Sequence, residues 1–340
     1  VTTNEPTDTR THPGASLELA DPDLAEAVQG GLVRVEELLR SVVRSSLRFL
    51  TETSLHLVEA GGKRFRPLFT LLAAQFGKGI GDEVIRSAAA VELVHLATLY
   101  HDDVMDEATM RRGAASANAR WDNTIAILTG DFLFSHASRL VADLGTDATR
   151  IIAETFSELV TGQMRETIGP EQGDDPVEHY LTVVAEKTGS LIATAGRFGG
   201  MYSGATPAHV AALRTFGEVI GTAFQISDDV IDIASPAGES GKTPGTDLRE
   251  GVRTLPMLYV LAGDAPEEAR LRDLLAGPLT DDDLVVEALE LLRGSSGLRR
   301  ARQTLAEYAE RARVELGLLP ACPAREALAS LTDYVIDRTR

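Results

Sequence analysis

The sequence predicts an all-α protein, a bundle of long helices around a central cavity. Three observations carry that expectation. Apolar residues recur at helical spacing over long stretches, and no stretch shows the alternation of period two that marks a strand. Ala and Leu are abundant while aromatic residues are only 5% of the chain, a balance that favours helices over sheets. Two acidic clusters, Asp102-Asp103-Val104-Met105-Asp106 and Asp228-Asp229-Val230-Ile231-Asp232, each end a helix-like stretch, as if two helix ends met at one cavity.

Residues 1–17 are rich in Thr, Pro and charge and read as a disordered tail. From 18 to 340 no shift in composition marks a boundary, so the remainder reads as one domain. Asp21-Pro22 starts a helix, with Pro at its first position, that runs to Val43 with Gly30-Gly31 as a candidate break. A second spans about Leu47 to Ala60 and is stopped by Gly61-Gly62. Pro67 opens a third, to about Phe76. The long helix from Asp82 to Glu107 carries the first acidic cluster, and Arg111-Arg112-Gly113 then closes a short loop. Asp122 caps a helix over 124–144, and further helices cover 148–168, 177–202 and 207–234. Residues 235–253 are glycine-rich, charged and long for a connector, the profile of a lid or a disordered loop. Helices resume at 254–261, 266–276, 281–293, 297–316 and 324–338.

A formal net charge of -18 over 340 residues argues against nucleic acid as a partner. The single cysteine, Cys322, allows no disulfide within the chain and suggests no thiolate metal site, which fits a reducing, cytoplasmic compartment. No uninterrupted apolar run reaches the roughly 20 residues of a membrane span. The polar start of the sequence lacks the pattern of a signal peptide.

Asp102 and Asp106 are four apart and share a helix face, with Asp103 about 100° round. Clustered carboxylates repel one another unless a cation lies between them. Hard oxygen ligands suit magnesium, which takes one or two carboxylates together with substrate phosphates. Two such clusters suggest two helices holding ions from opposite sides of a cavity. Lys63, Arg64 and Arg66 fall at a helix start, where backbone donors and side-chain cations together make an anion cradle. A basic loop on an acidic protein is the plainer alternative. His95 precedes Asp102 by seven residues, two helical turns, and so shares its face. On its own, a histidine there is more often a structural core residue.

GGKRFRP, LVHLATLYHDDVMDEATMRRG, GDFLF, EKTGSL, FQISDDVID and GTDLREGVRTLP occur in this order. With these six stretches, nearly the whole chain after the tail resembles the trans-isoprenyl diphosphate synthases, or polyprenyl synthetases. The resemblance implies the isoprenoid synthase fold, a homodimer and a magnesium-dependent prenyltransferase. Such an enzyme ionises an allylic diphosphate and joins it head-to-tail to isopentenyl diphosphate. It implies Asp102, Asp106 and Asp228 as magnesium ligands, with Asp103, Asp229 and Asp232 ligating or supporting them. Arg111, Lys187, Gln225 and Lys242 would contact the allylic diphosphate, and Thr188 would offer an oxygen near the reacting carbon. Phe224 and Gln225 would line the reacting carbons. Isopentenyl diphosphate would rest on Lys63, Arg66, His95 and Arg112 without metal. No general base is assigned, because released pyrophosphate is thought to take the proton in the family. Arg338 and Arg340 either help close the site or fray into solvent.

The growing chain would extend along the helix bearing Asp102. On that helix Thr98 lies about 40° from the Asp102 direction, Val91 about 20°, Val94 about 80° and Ala97 about 140°. Short-product relatives carry aromatics four and five positions before the first aspartate, where this chain has Thr98 and Ala97. Tyr100 faces about 200° away and is a poor plug. The floor is expected from Val91, Val94, or Ile127, Leu128 and Phe132. With one isoprene unit per helix turn, the expected product has roughly thirty to fifty carbons, and a twenty-carbon geranylgeranyl product is the alternative. A class I terpene cyclase or a non-catalytic partner subunit fits less well, since both acidic clusters and the cation stretch are intact.

Overall fold

The structure is a computed structural model, and it describes residues 19–234 and 245–339. The N-terminal tail, Lys242 and Arg340 lie outside the described residues. Two compact units can be told apart. One holds the chain to Thr149 together with Phe198–Ala205; the other holds Arg150–Arg197 and the chain from Thr206 onward.

The first unit is built from α1 (Pro22–Val42), α2 (Arg48–Glu59), α3 (Phe65–Ala73), α4 (Asp82–Met105), α5 (Ala117–Arg120) and α6 (Asn123–Leu144). The Asp21 side chain accepts from the Leu24 N–H and caps α1. Contrary to expectation, α1 runs unbroken through Gly30-Gly31. Gly31 lies so close to α3 that an added Cβ would sit 3.0 Å from both Leu71 methyls, so the glycine serves close packing. α3 starts at Phe65, two residues before Pro67. Proline is tolerated there because the first-turn N–H groups have no intrahelical partner.

α4 is buried on most sides and packs extensively on α6. Gly130 of α6 permits that approach, since a Cβ there would fall 2.3 Å from His101 Nε2. Asp122 caps α6 by accepting from the Ile125 N–H at 2.8 Å. Among the described helices only α6 is long and apolar enough, by length and composition, to cross a membrane. Its Ala126, Leu133, Ala137 and Val141 are fully buried, as in a core helix.

Next come α7 (Thr146–Ile168), α8 (Pro176–Val184), α9 (Ser190–Ser203) and α10 (Pro207–Ala234). The single helix expected over 177–202 is interrupted by a π-helical turn at Ala185–Gly189. Inserted π turns are frequent at functional sites, and periodicity alone does not reveal them. The chain then forms α11 (Thr246–Glu250), inside the stretch expected to be loop, and α12 (Leu255–Leu261), α13 (Ala269–Leu274), α14 (Asp282–Gly294), α15 (Ser296–Gly317) and α16 (Pro323–Asp337). α10 is the spine of the second unit and packs along α15.

Candidate active site

The last turn of α4 carries no basic residue and two carboxylates, Asp102 and Asp103, with Asp106 following at the C-cap. A helix C-terminus already bears partial negative charge, so this end attracts cations strongly. Asp102 is half-buried and Asp103 buried. Asp106 is exposed and forms the C-cap, whereas the helix was expected to continue to Glu107. Asp103 accepts from Arg111 Nε at 2.6 Å, while its Oδ2 is buried without a hydrogen-bond partner. Burial raises its carboxyl above the usual range, against the pull of Arg111.

Arg111 and Arg112 sit on a two-stranded hairpin rather than a plain loop, β1 (Met110–Arg111) pairing with β2 (Ala114–Ala115). Arg112 (φ 53°) and Gly113 (φ 77°) take the two positive-φ positions of a tight hairpin turn. His56 of α2 holds the Ala115 carbonyl at 2.7 Å. The Arg112 guanidinium donates to the Gly61 and Leu57 carbonyls. A Cβ on Gly62 would come within 2.8 Å of it, so the second glycine of the pair that ends α2 also makes room for this cation.

Lys63 is exposed and Arg66 half-buried beside it. Burial lowers Arg66 to about 10, with Glu92 opposing the shift. His95 is held well below the ordinary imidazole range by burial and by the charges of Arg66, Arg112, Arg64 and Arg111. It is therefore neutral and surrounded by cations. Arg64 is turned away from this group: it is buried, with φ 48°, and donates to Glu36, Glu92, the Val58 carbonyl and the Gly61 carbonyl. Glu36 and Glu92 escaped the sequence reading. The available signal was a lone charge in the apolar run AAAVELV, since a buried carboxylate requires a partner.

The partly exposed strip of α4 runs through Asp102, Leu99, Thr98 and His95, and beyond it Val94 and Val91 are fully buried. Ala97 is buried as well, and the Thr98 hydroxyl donates to the His95 carbonyl at 2.8 Å. Leu99 had not been singled out. Ile127 and Leu128 are 43% and 56% exposed, so as isolated side chains they do not enclose a floor, and Phe132 is half-buried. Tyr100 is turned to α2, donating to the Thr53 carbonyl and accepting from the Leu57 N–H.

In the second unit, Asp228 is exposed, Asp232 half-buried and Asp229 buried near the end of α10, whose last turn also lacks a basic residue. Asp229 accepts from the Tyr180 hydroxyl and from Gln225 Nε2, and burial pushes it up to about 7. Arg338, at the C-cap of α16, is docked rather than frayed. It donates to Asp228, to Ser227 Oγ and to the Phe224 carbonyl, and its guanidinium lies 4.1 Å from the Phe224 ring centroid.

Lys187 and Thr188 lie on the π turn, which packs on α10. Lys187 Nζ donates to Glu166, which also accepts from Gln163 Nε2 at 3.1 Å. Gly162 lets α7 approach the turn, since a Cβ there would lie 2.7 Å from the Lys187 nitrogen. Tyr180, Glu166 and Gln163 were also missed. Tyr180 and Glu166 act through partners 49 and 21 residues away, and Gln163 acts through Glu166. Thus the first unit gathers Asp102, Asp103, Asp106, Lys63, Arg66, His95, Arg111 and Arg112, and the second contains Asp228, Asp229, Asp232, Gln225, Lys187 and Thr188.

Residues 48–292 match the family described as polyprenyl synthetase. A nonaprenyl diphosphate synthase of Mycobacterium tuberculosis is 58% identical over 325 residues, covering 95% of this chain and 97% of its own. A solved structure of a geranylgeranyl pyrophosphate synthase from Corynebacterium glutamicum, complexed with calcium and isoprenyl diphosphate, is 52% identical. It superposes with a TM-score of 0.86 over 95% of this chain and 99% of the other. A decaprenyl diphosphate synthase from Rhodobacter capsulatus is 34% identical, with a TM-score of 0.85 over 94% and 99% of the two chains. The chain belongs to the polyprenyl synthetase family. It is a prenyltransferase with the all-α isoprenoid synthase fold.

Proposed function

We propose that this enzyme makes all-trans polyprenyl diphosphates of roughly thirty to fifty carbons by magnesium-dependent, head-to-tail addition of isopentenyl diphosphate to an allylic diphosphate. The observation that carries the reading is a division of labour. Two acidic clusters lie toward the C-terminal ends of α4 and α10, helices whose last turns carry no basic residue, while a separate set of cations with a neutral His95 lies off the first cluster. Among the described residues no three acidic, His or Cys side chains could hold an ion by themselves. Magnesium takes one or two carboxylates and completes its shell with waters and substrate phosphates.

Asp102 and Asp106 would hold magnesium and Asp228 a further ion, and this metal would supply positive charge to the departing pyrophosphate. Arg111, Lys187 and Lys242 would take further phosphate oxygens. Gln225 and Thr188 would place polar oxygens and amides by the reacting carbon, with Phe224 as an apolar wall. Lys63, Arg66, Arg112 and the neutral His95 would hold isopentenyl diphosphate by charge and donated hydrogen bonds. Residues 18–340 are read as one polyprenyl synthetase domain, supported by a family match that spans parts of both units. A homodimer is part of the reading, supported by the exposed apolar Ile127 and Leu128 of α6. So is a cytoplasmic location, supported by the single cysteine.

Chain length rests on small Thr98 and Ala97 near the aspartates and on Val91 and Val94 deeper along α4. The 58% identity to a nonaprenyl enzyme supports a long product, and the 52% identity to a geranylgeranyl enzyme keeps twenty carbons as the second reading. The test is a product assay with magnesium, labelled isopentenyl diphosphate and separate ten-, fifteen- and twenty-carbon primers, sizing the dephosphorylated alcohols. Products of thirty carbons or more are expected. A stop at twenty would select the second reading, and no elongation in folded, magnesium-supplied enzyme would overturn both.

A further inference from the structure

We propose that Arg64, clasped by Glu36 and Glu92, is a positioning residue for the cradle formed by Lys63, Arg66 and Arg112. This rests on the reading of those residues as the isopentenyl diphosphate site. By type and position Arg64 looks like one more phosphate ligand. The geometry denies it that role. Its side chain is 1% exposed, and all three guanidinium nitrogens donate within the protein. Nε goes to Glu36, Nη1 to Glu92 at 2.9 Å and to the Gly61 carbonyl at 3.3 Å, and Nη2 to the Val58 carbonyl at 2.7 Å.

What the clasp holds is the backbone. Arg64 takes φ 48° and ψ 37°, a left-handed conformation that non-glycine residues adopt rarely. It is the N-cap of α3, so its dihedrals set the direction of Lys63 on one side and of Arg66 on the other. The clasp also reaches the third cation, because Arg112 donates to the same Gly61 carbonyl. Glu92 lies on α4 three residues before His95, so the carboxylate that ties Arg64 belongs to the helix that carries the histidine. Its negative charge also favours the cationic forms of Arg66 and Arg112 against their burial. Only a guanidinium has the fork to serve four acceptors at once.

Arg64→Lys separates position from charge, because the net charge stays the same while the fork is lost. The expected result is a rise of about tenfold in KM for isopentenyl diphosphate. KM for the allylic substrate and the magnesium requirement should stay within about twofold. Glu36→Gln, which weakens one arm of the clasp, should raise the same KM by a smaller factor. It serves as the test if Arg64→Lys does not fold. A merely structural role would lower the melting temperature and leave both KM values alone, which would overturn the inference. Lys63→Ala is the reference. If it raises KM for isopentenyl diphosphate and neither clasp variant does, the inference fails alone; if it leaves that KM unchanged, the cradle reading falls and takes the inference with it.

Discussion

The two aspartate clusters share a five-residue pattern but solve different electrostatic problems. In both, the middle aspartate is buried and hydrogen-bonded while its neighbours are more open. Asp103 is met by a cation, Arg111, eight residues later on a hairpin. Asp229 is met by neutral donors, Tyr180 from α8 and Gln225 one turn back on α10, and sits at about 7. At the second cluster Arg338 goes to the open Asp228 instead. A motif therefore fixes where carboxylates gather, and the burial and the partners brought by the fold decide how each is charged.

The largest effects should come from the open aspartates, where the two clusters ought to behave alike. Asp102→Ala and Asp228→Ala are each expected to lower kcat by about 10³, roughly 4 kcal/mol of transition-state stabilisation, at saturating magnesium. Steady-state rates on purified protein would show it. A loss near tenfold at Asp228 alone would mean that its cluster contributes little charge stabilisation.

At the buried aspartates the clusters should diverge. Arg111→Gln leaves Asp103 buried without its cation and is expected to cost about 2–3 kcal/mol of stability, somewhat below a fully buried pair because Arg111 is itself 29% exposed. Urea midpoints at neutral pH measure this, and a cost under about 0.5 kcal/mol would show that Asp103 does not depend on its cation.

The cradle gives a pH-dependent counterpart. His95 has a folded pKa depressed below 6.5, so as pH falls through 6.5 the unfolded chain takes up a proton that the folded chain refuses. Stability is lost toward acid, with a slope of at most about 1.4 kcal/mol per pH unit from this group. His95→Gln should remove that slope. Melting curves of the two proteins between pH 7 and 5 should therefore draw apart from their pH 7 difference, wild type falling faster. Parallel curves would place a charged histidine in the folded cradle.

Much of this was legible beforehand, and the reasons differ by residue. Helices α4, α6 and α10 announce themselves by long apolar stretches at helical spacing, α6 also by its Asp122 cap, and the acidic clusters by clustering alone. Positions that answer to distant partners were not legible. Glu92 reads as a blemish in an apolar run until Arg64 is placed against it, 28 residues away. Gly31, Gly130 and Gly162 read as breaks or neutral positions, yet each is small because another element passes over it. The π turn under Lys187 carries no periodic signature because it adds a residue to an otherwise continuous helix.

Tyr180→Phe tests the comparison at its finest. The ring can stay in place while the hydroxyl is lost, so the change isolates one neutral hydrogen bond to Asp229. The Tyr180 phenol is held well above its usual pKa by burial and by Asp229, which keeps it a donor at every working pH. Asp229 keeps its bond from Gln225, so only one of its two donors is lost. The expected cost is about 1 kcal/mol, half or less of that of Arg111→Gln, read from the same urea midpoints. Equal costs for the two variants would mean that the charge of the donor does not matter at these sites, and the distinction between the clusters would collapse. A cost near zero would show that Gln225 alone suffices for Asp229. A turnover loss without a stability loss would instead put the tyrosine to work on the orientation of Asp229.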